Sequence, residues 1–329
     1  MPGDDAEAPV AEGGRDPVKG LDGGVIPTST NVTIQVQPSD FGAQIEASIR
    51  AAKTSVHMTM YLLTDSSIMD ALGDLKTAGK DVKVVLNKTF PPNGGDNTTA
   101  YNTLKGRGVD VVYAPSAYTF THEKGVIIDN AKVLIMTMNL TNTSAKDNRE
   151  YIATDSDPAD VADAEKLFAA DHGGLAVNVT GKLVVSPQNA SPVDARARLK
   201  ALIDSAKTSL EVEVQSLSDS GLTDAIIAAH KAKVAVRVVL SGEPGQTPSE
   251  LDAISKLKAA GVPLKGVLTP YIHAKAIVVD GATVFVGSQN FTPTALFYNR
   301  EIGVVTNAAA EATKVRDVIA KDFAAGAAF

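Results

Sequence analysis

The sequence predicts an α/β protein made of two similar halves. Each half is expected to be an α-β-α sandwich, a mixed central sheet covered by helices, and the two halves to form one pseudo-two-fold unit. Segments of the second half repeat segments of the first at a constant offset, and apolar β-branched runs alternate with amphipathic helical patterns in both. The 329 residues are 44% hydrophobic and 21% charged, which is enough to bury the cores of two medium-sized units.

Residues 1 to about 30 are rich in Gly, Pro, Asp and Ala and contain little apolar surface. Segments of this composition do not bury enough surface to fold. We therefore predict a flexible leader over residues 1–30, as in a protein that is secreted or held at the cell envelope. A cytoplasmic protein with a vector-derived extension is the alternative. No apolar stretch approaches the ~20 residues that a membrane-spanning helix requires.

Two pairs of matching strands define the halves. Residues 52–56 match residues 206–210, and residues 82–86 match residues 236–240, at one offset. Helical patterns lie between and after these strands, and glycines mark several of their ends. We place the halves at residues 31–176 and 177–329. The predicted helices span residues 41–53, 68–80, 160–170, 193–207, 222–233, 249–260 and 308–324.

Each half then carries the same motif. Residues 122–129 read His-Glu-Lys-Gly-Val-Ile-Ile-Asp, and residues 273–280 read His-Ala-Lys-Ala-Ile-Val-Val-Asp. Residues i and i+2 of a strand share one face, so the histidine and lysine of each copy point the same way. The aspartate lies an odd number of positions from the histidine, and we predict a structural role for it. The following dipeptides, Asn-Ala and Gly-Ala, favour a hairpin that returns the next strand beside the first.

The match continues downstream at fixed spacing. The first copy contains Thr137 and Asn139, the second contains Ser288 and Asn290, and each then has an Asn-Arg-Glu triplet. The asparagine follows the histidine by 139 − 122 = 17 and 290 − 273 = 17 residues, and the glutamate by 150 − 122 = 28 and 301 − 273 = 28. We expect the returning strand to bring the hydroxyl and the amide of each copy beside its histidine and lysine, as uncharged hydrogen-bonding groups for a phosphate.

This set of side chains suits phosphoryl transfer through histidine. A phosphodiester is anionic and resists anionic nucleophiles, whereas a neutral imidazole beside a lysine can attack it. Lysines and asparagines around the phosphate would stabilise the charge that develops on its oxygens without a metal ion. Imidazole, with a pKa of about 6.5, can act as a nucleophile in one copy and as an acid in the other. Glu150 and Glu301 are the best candidates to accept the second ring N–H of the histidines.

The pattern His-x-Lys-x4-Asp, present twice with downstream asparagine and glutamate, resembles the phospholipase D superfamily of two-motif phosphodiesterases. The resemblance covers nearly all of the chain after the leader. It implies that both motifs meet in one cleft and that the reaction runs through a phosphohistidine, which water or an alcohol resolves. It implies that one of His122 and His273 is the nucleophile and the other the general acid and base, and we favour His122 as the nucleophile. The other implied roles are phosphate contacts for Lys124, Lys275, Asn139 and Asn290, and histidine partners for Glu150 and Glu301.

Other residues near the motifs receive a structural interpretation. Gly287 precedes Ser288, but Met136 precedes Thr137, and we expect Met136 to crowd a place where glycine allows close backbone approach. The arginines of the two triplets are interpreted as surface salt-bridge residues rather than phosphate ligands, and the aromatic residues near the motifs chiefly as core.

The leading hypothesis is a phospholipase D-like enzyme that hydrolyses phosphatidyl headgroups and can transfer them to alcohols. A net charge of −7 favours a phospholipid at a membrane surface over nucleic acid as the partner. A nuclease of the same superfamily, which would need a basic cleft, and a non-catalytic phosphate-binding module are the alternatives. Cardiolipin-synthase-like transfer is disfavoured because membrane segments are missing. We expect no metal and no cofactor, and a monomer, since one chain holds both halves.

Overall fold

The computed structural model describes residues 26–40, 42–90, 95–175, 177, 179, 182–187 and 194–329. In chain order the elements of the first half are β1 (Val32–Gln37), α1 (Ala43–Arg50), β2 (Ser55–Met60), α2 (Ser66–Thr77), β3 (Asp81–Leu86), β4 (Thr89–Phe90), β5 (Gly95–Asp96), α3 (Thr98–Gly106), β6 (Asp110–Tyr113), β7 (Lys124–Ile128), β8 (Lys132–Met136), α4 (Ser144–Asp147), β9 (Asn148–Asp155) and α5 (Pro158–Gly173).

The second half repeats this succession with few changes. Its elements are β10 (Val184–Ser186), α6 (Ala195–Asp204), β11 (Ser209–Val214), α7 (Ser220–Lys231), β12 (Ala235–Ser241), α8 (Pro248–Ala259), β13 (Leu264–Val267), β14 (Tyr271–Ile272), β15 (Lys275–Val279), β16 (Thr283–Gly287), α9 (Pro293–Phe297), β17 (Glu301–Thr306) and α10 (Ala309–Ala325).

The two halves contain sheets of the same strand order. The first sheet runs β1-β9-β8-β7-β2-β3-β6, and the second runs β10-β17-β16-β15-β11-β12-β13. In each sheet the last three strands are parallel to one another, and the remaining neighbours are antiparallel. β14 pairs in parallel with β9 of the other half. The predicted fold class, with two repeated mixed sheets covered by helices, is confirmed.

One apolar core lies between the two sheets and joins the halves. It combines side chains of both sheets, such as Ile135 and Val286, with α5 from the first half and α10 from the second. The other face of the first sheet packs against α1, α2 and α3 through a second core, and the other face of the second sheet packs against α6, α7 and α8 through a third. Because burial of apolar surface drives folding, a core shared by both sheets makes the two halves one unit.

The aspartate that ends each motif closes a turn. Asp129 has a φ of 57°, and the backbone N–H of Ala131 donates to the carbonyl of Ile128 across the predicted hairpin (3.0 Å). The Asp129 carboxylate accepts backbone hydrogen bonds from residues 53–55, and Asp280 accepts the same set from residues 207–209. Partial desolvation raises the pKa of Asp129, but these hydrogen bonds outweigh it and lower the pKa to about 2. The aspartates are therefore structural, as the sequence predicts.

The predicted boundaries differ from the structure in a few places. Ser29, assigned to the leader, donates its backbone N–H to the carbonyl of Val305 (2.7 Å) and bridges to Thr306. It does so because β10 pairs only with residues 301–303, which leaves the end of β17 open for another backbone partner. Some predicted features lie outside the described residues. They are residues 1–25, the helix starts at residues 41 and 193, and the boundary between the halves at residue 176.

Candidate active site

Each motif histidine lies against the opposite half of the protein. The backbone N–H of His122 donates to the carbonyl of Arg300 (2.9 Å), and the N–H of His273 donates to the carbonyl of Arg149 (3.3 Å). β14, which comes immediately before His273, pairs with the first two residues of β9. Both motifs are thereby held at the junction between the halves, each beside the triplet of the other half.

The side chains of the histidines are paired across the same junction. His122 Nδ1 lies 2.8 and 3.0 Å from the two carboxylate oxygens of Glu301, and His273 Nδ1 lies 2.7 Å from Glu150 Oε1. All four side chains are buried. Because the glutamate accepts the Nδ1 hydrogen, the neutral ring has its lone pair on Nε2. The sequence predicts the glutamates as histidine partners, and the structure adds that each partner comes from the other half.

Neighbouring polar groups hold the two glutamates in place. The amide of Asn148 donates to Glu150 (3.1 Å), and the amide of Asn299 donates to Glu301 (3.2 Å). The Thr137 hydroxyl also donates to Glu150 (2.5 Å). Ser288 occupies the equivalent position, but its hydroxyl accepts from the backbone N–H of residue 302 (3.0 Å). Both hydroxyls are thus engaged with the adjacent strand, and their contact with a phosphate stays a prediction.

The two motif lysines are completely buried beside their histidines. Lys124 Nζ donates to the carbonyl of His122, and Lys275 Nζ donates to the carbonyl of His273, both at 2.8 Å. Lys275 also donates to Gln215 Oε1 (3.0 Å). A buried ammonium is stable only when hydrogen-bonded or paired with an anion. A buried ammonium beside each motif histidine favours an anionic group there.

The two predicted asparagines, which follow β8 and β16, are also buried. Asn139 is 1% exposed, and Asn290 is 0% exposed. Neither the nitrogen nor the oxygen of the Asn290 amide has a hydrogen-bond partner among the described residues. A buried amide without partners costs free energy, on the order of 1–3 kcal/mol per unsatisfied group. A polar ligand at the site would remove that cost.

A second set of cross-half pairs surrounds the first. Arg300, fully buried, makes two hydrogen bonds to Asp171 on α5 (2.7 and 3.0 Å), and Arg149 makes two to Asp322 on α10 (2.6 and 3.1 Å). Both arginines are therefore salt-bridge residues, but the expectation of a surface position was wrong for Arg300, because its pair with Asp171 is buried between the halves. The sequence analysis missed the aspartates, although their spacing from the histidines repeats, 171 − 122 = 49 and 322 − 273 = 49.

Glu123, between the histidine and lysine of the first motif, is a further buried carboxyl that the sequence analysis missed. Burial raises its pKa to about 8, and the negative charges of Asp171 and Glu301 add to the effect while Arg300 opposes it. The second motif has Ala274 at this position, so no repeat partner marks the site. The carboxyl is therefore mostly protonated at neutral pH.

Met136 does not lie where the sequence analysis placed it. It is fully buried in the core between the first sheet and its outer helices. The equivalent Gly287 is required by packing, because a Cβ there would lie 2.3 Å from the side-chain oxygen of Gln289 and 2.7 Å from the Phe285 ring. The expectation that Met136 crowds the site was wrong, since this position faces the core and not the histidines.

The described residues contain no group of three or more His, Asp or Glu side chains arranged to hold a metal ion. Reaction without a metal stays a prediction. In the same part of the chain, no helix is both long enough and apolar enough to cross a membrane.

A family model described as "Cardiolipin synthase, PLD-like domain" matches residues 45–172 and 199–323. One matched segment lies in each half, and together they cover most of the chain. The chain belongs to the phospholipase D-like family. Both motifs of this phospholipase D-like chain, with the cross-paired histidines and glutamates, lie inside the matched segments.

Curated relatives resemble part of this chain, and solved structures share its fold. The mitochondrial cardiolipin hydrolase of Xenopus laevis is 33% identical over 114 residues, which are 34% of this chain and 53% of the relative. The chain spans about half the length of the curated relatives that it matches. The phosphatidylserine synthase of Haemophilus influenzae Rd KW20 is 14% identical, with a TM-score of 0.70 over 90% of this chain and 88% of that one. The polyphosphate kinase of Porphyromonas gingivalis is 16% identical, with a TM-score of 0.66 over 88% of this chain and 50% of that one. At these identities the structural likeness shows the fold alone.

Proposed function

We propose that the chain is a phospholipase D-like phosphodiesterase that cleaves phosphatidyl headgroups at a membrane surface, and can transfer them to alcohols, through a phosphohistidine intermediate. The cross-pairing of His122 with Glu301 and of His273 with Glu150 carries the proposal. Each histidine contacts a glutamate of the other half through Nδ1, so we assign the chemistry to Nε2, which in His273 lies 3.3 Å from Lys275 Nζ. The buried lysine beside each histidine supplies the positive charge that a phosphodiester requires.

In the first step His122 is the nucleophile. Its Nε2 lone pair attacks phosphorus, the P–N bond forms, and the P–O bond to the leaving alcohol breaks. The Nε2 proton of His273 goes to the departing oxygen. Glu301 stabilises the positive charge that forms on the His122 ring, because its carboxylate accepts the Nδ1 hydrogen throughout.

In the second step a water or an alcohol takes the place of the leaving alcohol. Neutral His273 removes its proton, the oxygen attacks phosphorus, and the P–N bond to His122 breaks. Water yields hydrolysis, and an alcohol yields headgroup transfer. Glu150 stabilises the protonated His273 ring in this step, as Glu301 stabilises His122 in the first.

The remaining predicted residues stabilise the phosphate. Lys124 and Lys275 place two ammonium groups beside the histidines, and Asn139 and Asn290 supply amides. Preorganised donors of this kind stabilise charge on the equatorial oxygens of a transferring phosphoryl group. We propose Thr137 and Ser288 as secondary contributors, because their hydroxyls are bonded to the neighbouring strand.

The phosphatidyl substrate is proposed from two considerations. The curated relatives are named cardiolipin hydrolases, which act on a phosphatidyl lipid by name. The matched family model bears the name of a cardiolipin synthase. This name does not support the expectation that cardiolipin-synthase-like transfer is disfavoured. A nuclease is disfavoured because Arg149 and Arg300 are held in ion pairs with Asp322 and Asp171 and do not contribute a basic lining.

The remaining proposals concern the whole chain. We propose the two halves at residues 31–176 and 177–329, following a leader, and a monomer, because the glutamate partner of each histidine is supplied within one chain. Secretion or attachment to the cell envelope is proposed from the composition of residues 1–30 only, with the cytoplasm as the alternative. The relatives are named mitochondrial and do not favour export.

The test is turnover of phosphatidylcholine and cardiolipin vesicles compared with single-stranded DNA, using the full chain. His122→Ala should abolish turnover of the preferred substrate, and His230→Ala, which changes a histidine outside both motifs, should retain it. Cleavage of DNA but of neither lipid would favour the nuclease. Binding of lipid without any turnover would favour the phosphate-binding module.

A further inference from the structure

The two sides of the candidate site differ at one structurally equivalent position. Met60 of β2 pairs with Lys124, and Val214 of β11 pairs with Lys275. The next residue along each strand lies against the motif lysine. It is a tyrosine in the first half, at position 61, and a glutamine in the second, at position 215.

In the first half this position is aromatic and buried. The Tyr61 ring lies 4.6 Å from the His122 ring in an edge-to-face arrangement, and Lys124 Nζ lies 4.9 Å from the centre of the Tyr61 ring. Tyr61 is 2% exposed and packs edge-on against Phe90 and Phe120. The side of the site next to His122 is thus a closed aromatic wall.

In the second half the same position is polar and partly exposed. Gln215 accepts a hydrogen bond from Lys275 (3.0 Å) and donates one to the Tyr271 hydroxyl (3.1 Å). Tyr271 in turn stacks against His273, with ring centres 6.3 Å apart. Tyr271 occupies the position of Phe120 in the first half, two residues before the histidine. The hydroxyl of Tyr271 and the amide of Gln215 are therefore present on one side only.

We propose that Gln215 and Tyr271 form the subsite that receives the leaving alcohol and determine which headgroup is cleaved. This inference rests on the proposed function, with His122 as nucleophile. In-line attack by His122 places the leaving oxygen on the opposite side of phosphorus, next to His273. That side carries the partly exposed Gln215 and Tyr271, whose donors and acceptors suit a polar alcohol. On the other side the equivalent position is Tyr61, which is 2% exposed and packed against Phe90 and Phe120.

The subsite also serves the second step. The water or acceptor alcohol must approach phosphorus from the side that the leaving alcohol vacates, because the P–N bond to His122 occupies the other side. Gln215 and Tyr271 would then contact the acceptor as well. A change in this pair should alter the choice of headgroup and the ratio of transfer to hydrolysis together.

The test compares Tyr271→Phe and Gln215→Ala with the wild-type chain. The substrates are phosphatidylcholine, phosphatidylethanolamine and phosphatidylglycerol with identical acyl chains, and one headgroup with short and long acyl chains. We expect the ratios of kcat/KM between headgroups to change about tenfold, the size expected when a substrate polar group loses its partner, while the ratios between acyl chains stay unchanged. Tyr61→Leu is the matched variant of the closed side and should lower kcat/KM for all headgroups by one factor.

Several results would overturn the subsite. One is that the kcat/KM ratios between headgroups stay unchanged in both Tyr271→Phe and Gln215→Ala. Others are that these variants alter the kcat/KM ratios between acyl chains, or that only Tyr61→Leu alters the ratios between headgroups. Tyr271→Phe removes one oxygen atom, so it keeps the comparison available even when Gln215→Ala does not fold. Failure of the wild-type chain to cleave any phosphatidyl lipid would overturn the proposed function instead. In that case the same ratios, measured with soluble phosphodiesters that differ only in the leaving alcohol, still decide whether the subsite exists.

Discussion

His122 in the first half is hydrogen-bonded through Nδ1 to Glu301 in the second half, at 2.8 Å. The reciprocal pair, His273 with Glu150, crosses the junction in the other direction. Neither half therefore contains a complete histidine–glutamate pair of its own. Each half supplies the partner of the other half's histidine, so both halves are needed for either pair.

Replacing one glutamate should affect the histidine of the opposite half. Glu301→Gln should lower kcat by roughly 10²–10⁴-fold, because an amide does not stabilise the imidazolium and favours the wrong tautomer. The ¹⁵N chemical shifts of the His122 ring should change and those of the His273 ring should not. Glu150→Gln is the matched variant, with the effect on His273. A change confined to the histidine of the same half would refute the cross-pairing.

The buried arginine–aspartate pairs should contribute strongly to stability. Asp171→Asn leaves the Arg300 guanidinium buried without its anion, and such changes cost about 3–5 kcal/mol. The exposed pair of Arg50 with Glu46 is the control, because Glu46→Gln should cost no more than about 1 kcal/mol. Chemical denaturation of the full chain measures both. Equal effects of the two substitutions would contradict a buried role for Asp171.

The sequence predicts best those features of the fold and of the site that are repeated in both halves. The constant offsets between the halves predict the two sheets, the hairpins and the set of histidines, lysines and asparagines at the site. The spacing from histidine to glutamate is the same in both halves. It therefore does not show whether a histidine pairs with the glutamate of its own half or with that of the other half. Glu123 has no counterpart in the second half. Asp171 and Asp322 do repeat, but they lie on helices that the motifs do not include.

Glu123 should make the protein less stable as pH rises. Its pKa is raised to about 8 from an ordinary value of 4.5, so the folded state keeps a proton that the unfolded state loses. The free energy of unfolding should therefore fall between about pH 4.5 and 8, by up to about 1.4 kcal/mol per pKa unit. Glu123→Gln should remove the part of this fall in the free energy of unfolding that comes from Glu123. Denaturation of both proteins at pH 5 and pH 9 measures it.

The remaining pH dependence in Glu123→Gln should come in part from Glu213, a second buried carboxyl whose pKa burial raises to about 8. If Glu123→Gln and wild type lost equal stability between pH 5 and pH 9, the protonated state of Glu123 would be disproved.

Asn290 should favour function at the expense of stability. Asn290→Leu removes two buried polar atoms that have no partner among the described residues, so the free energy of unfolding should stay the same or rise by about 1 kcal/mol. Turnover should fall roughly 10²-fold, the loss expected for one donor to a transferring group. Asn148→Leu is the matched control. It should lower the free energy of unfolding, because it removes the hydrogen bond from the Asn148 amide to Glu150. Clear destabilisation by Asn290→Leu would indicate an unrecognised structural partner.

The central claim is that two histidines from different halves act in sequence on one phosphate. Rapid quenching of the full chain with a p-nitrophenyl phosphodiester, followed by mass-spectrometric mapping, tests it most directly. The predicted result is one phosphoryl group per chain on Nε2 of His122, still esterified with the alcohol that does not leave. It should accumulate in His273→Ala, because this leaving group needs no acid while hydrolysis needs the base. A phosphoryl group on His273, or continued turnover of the diester with no labelled histidine, would contradict the account.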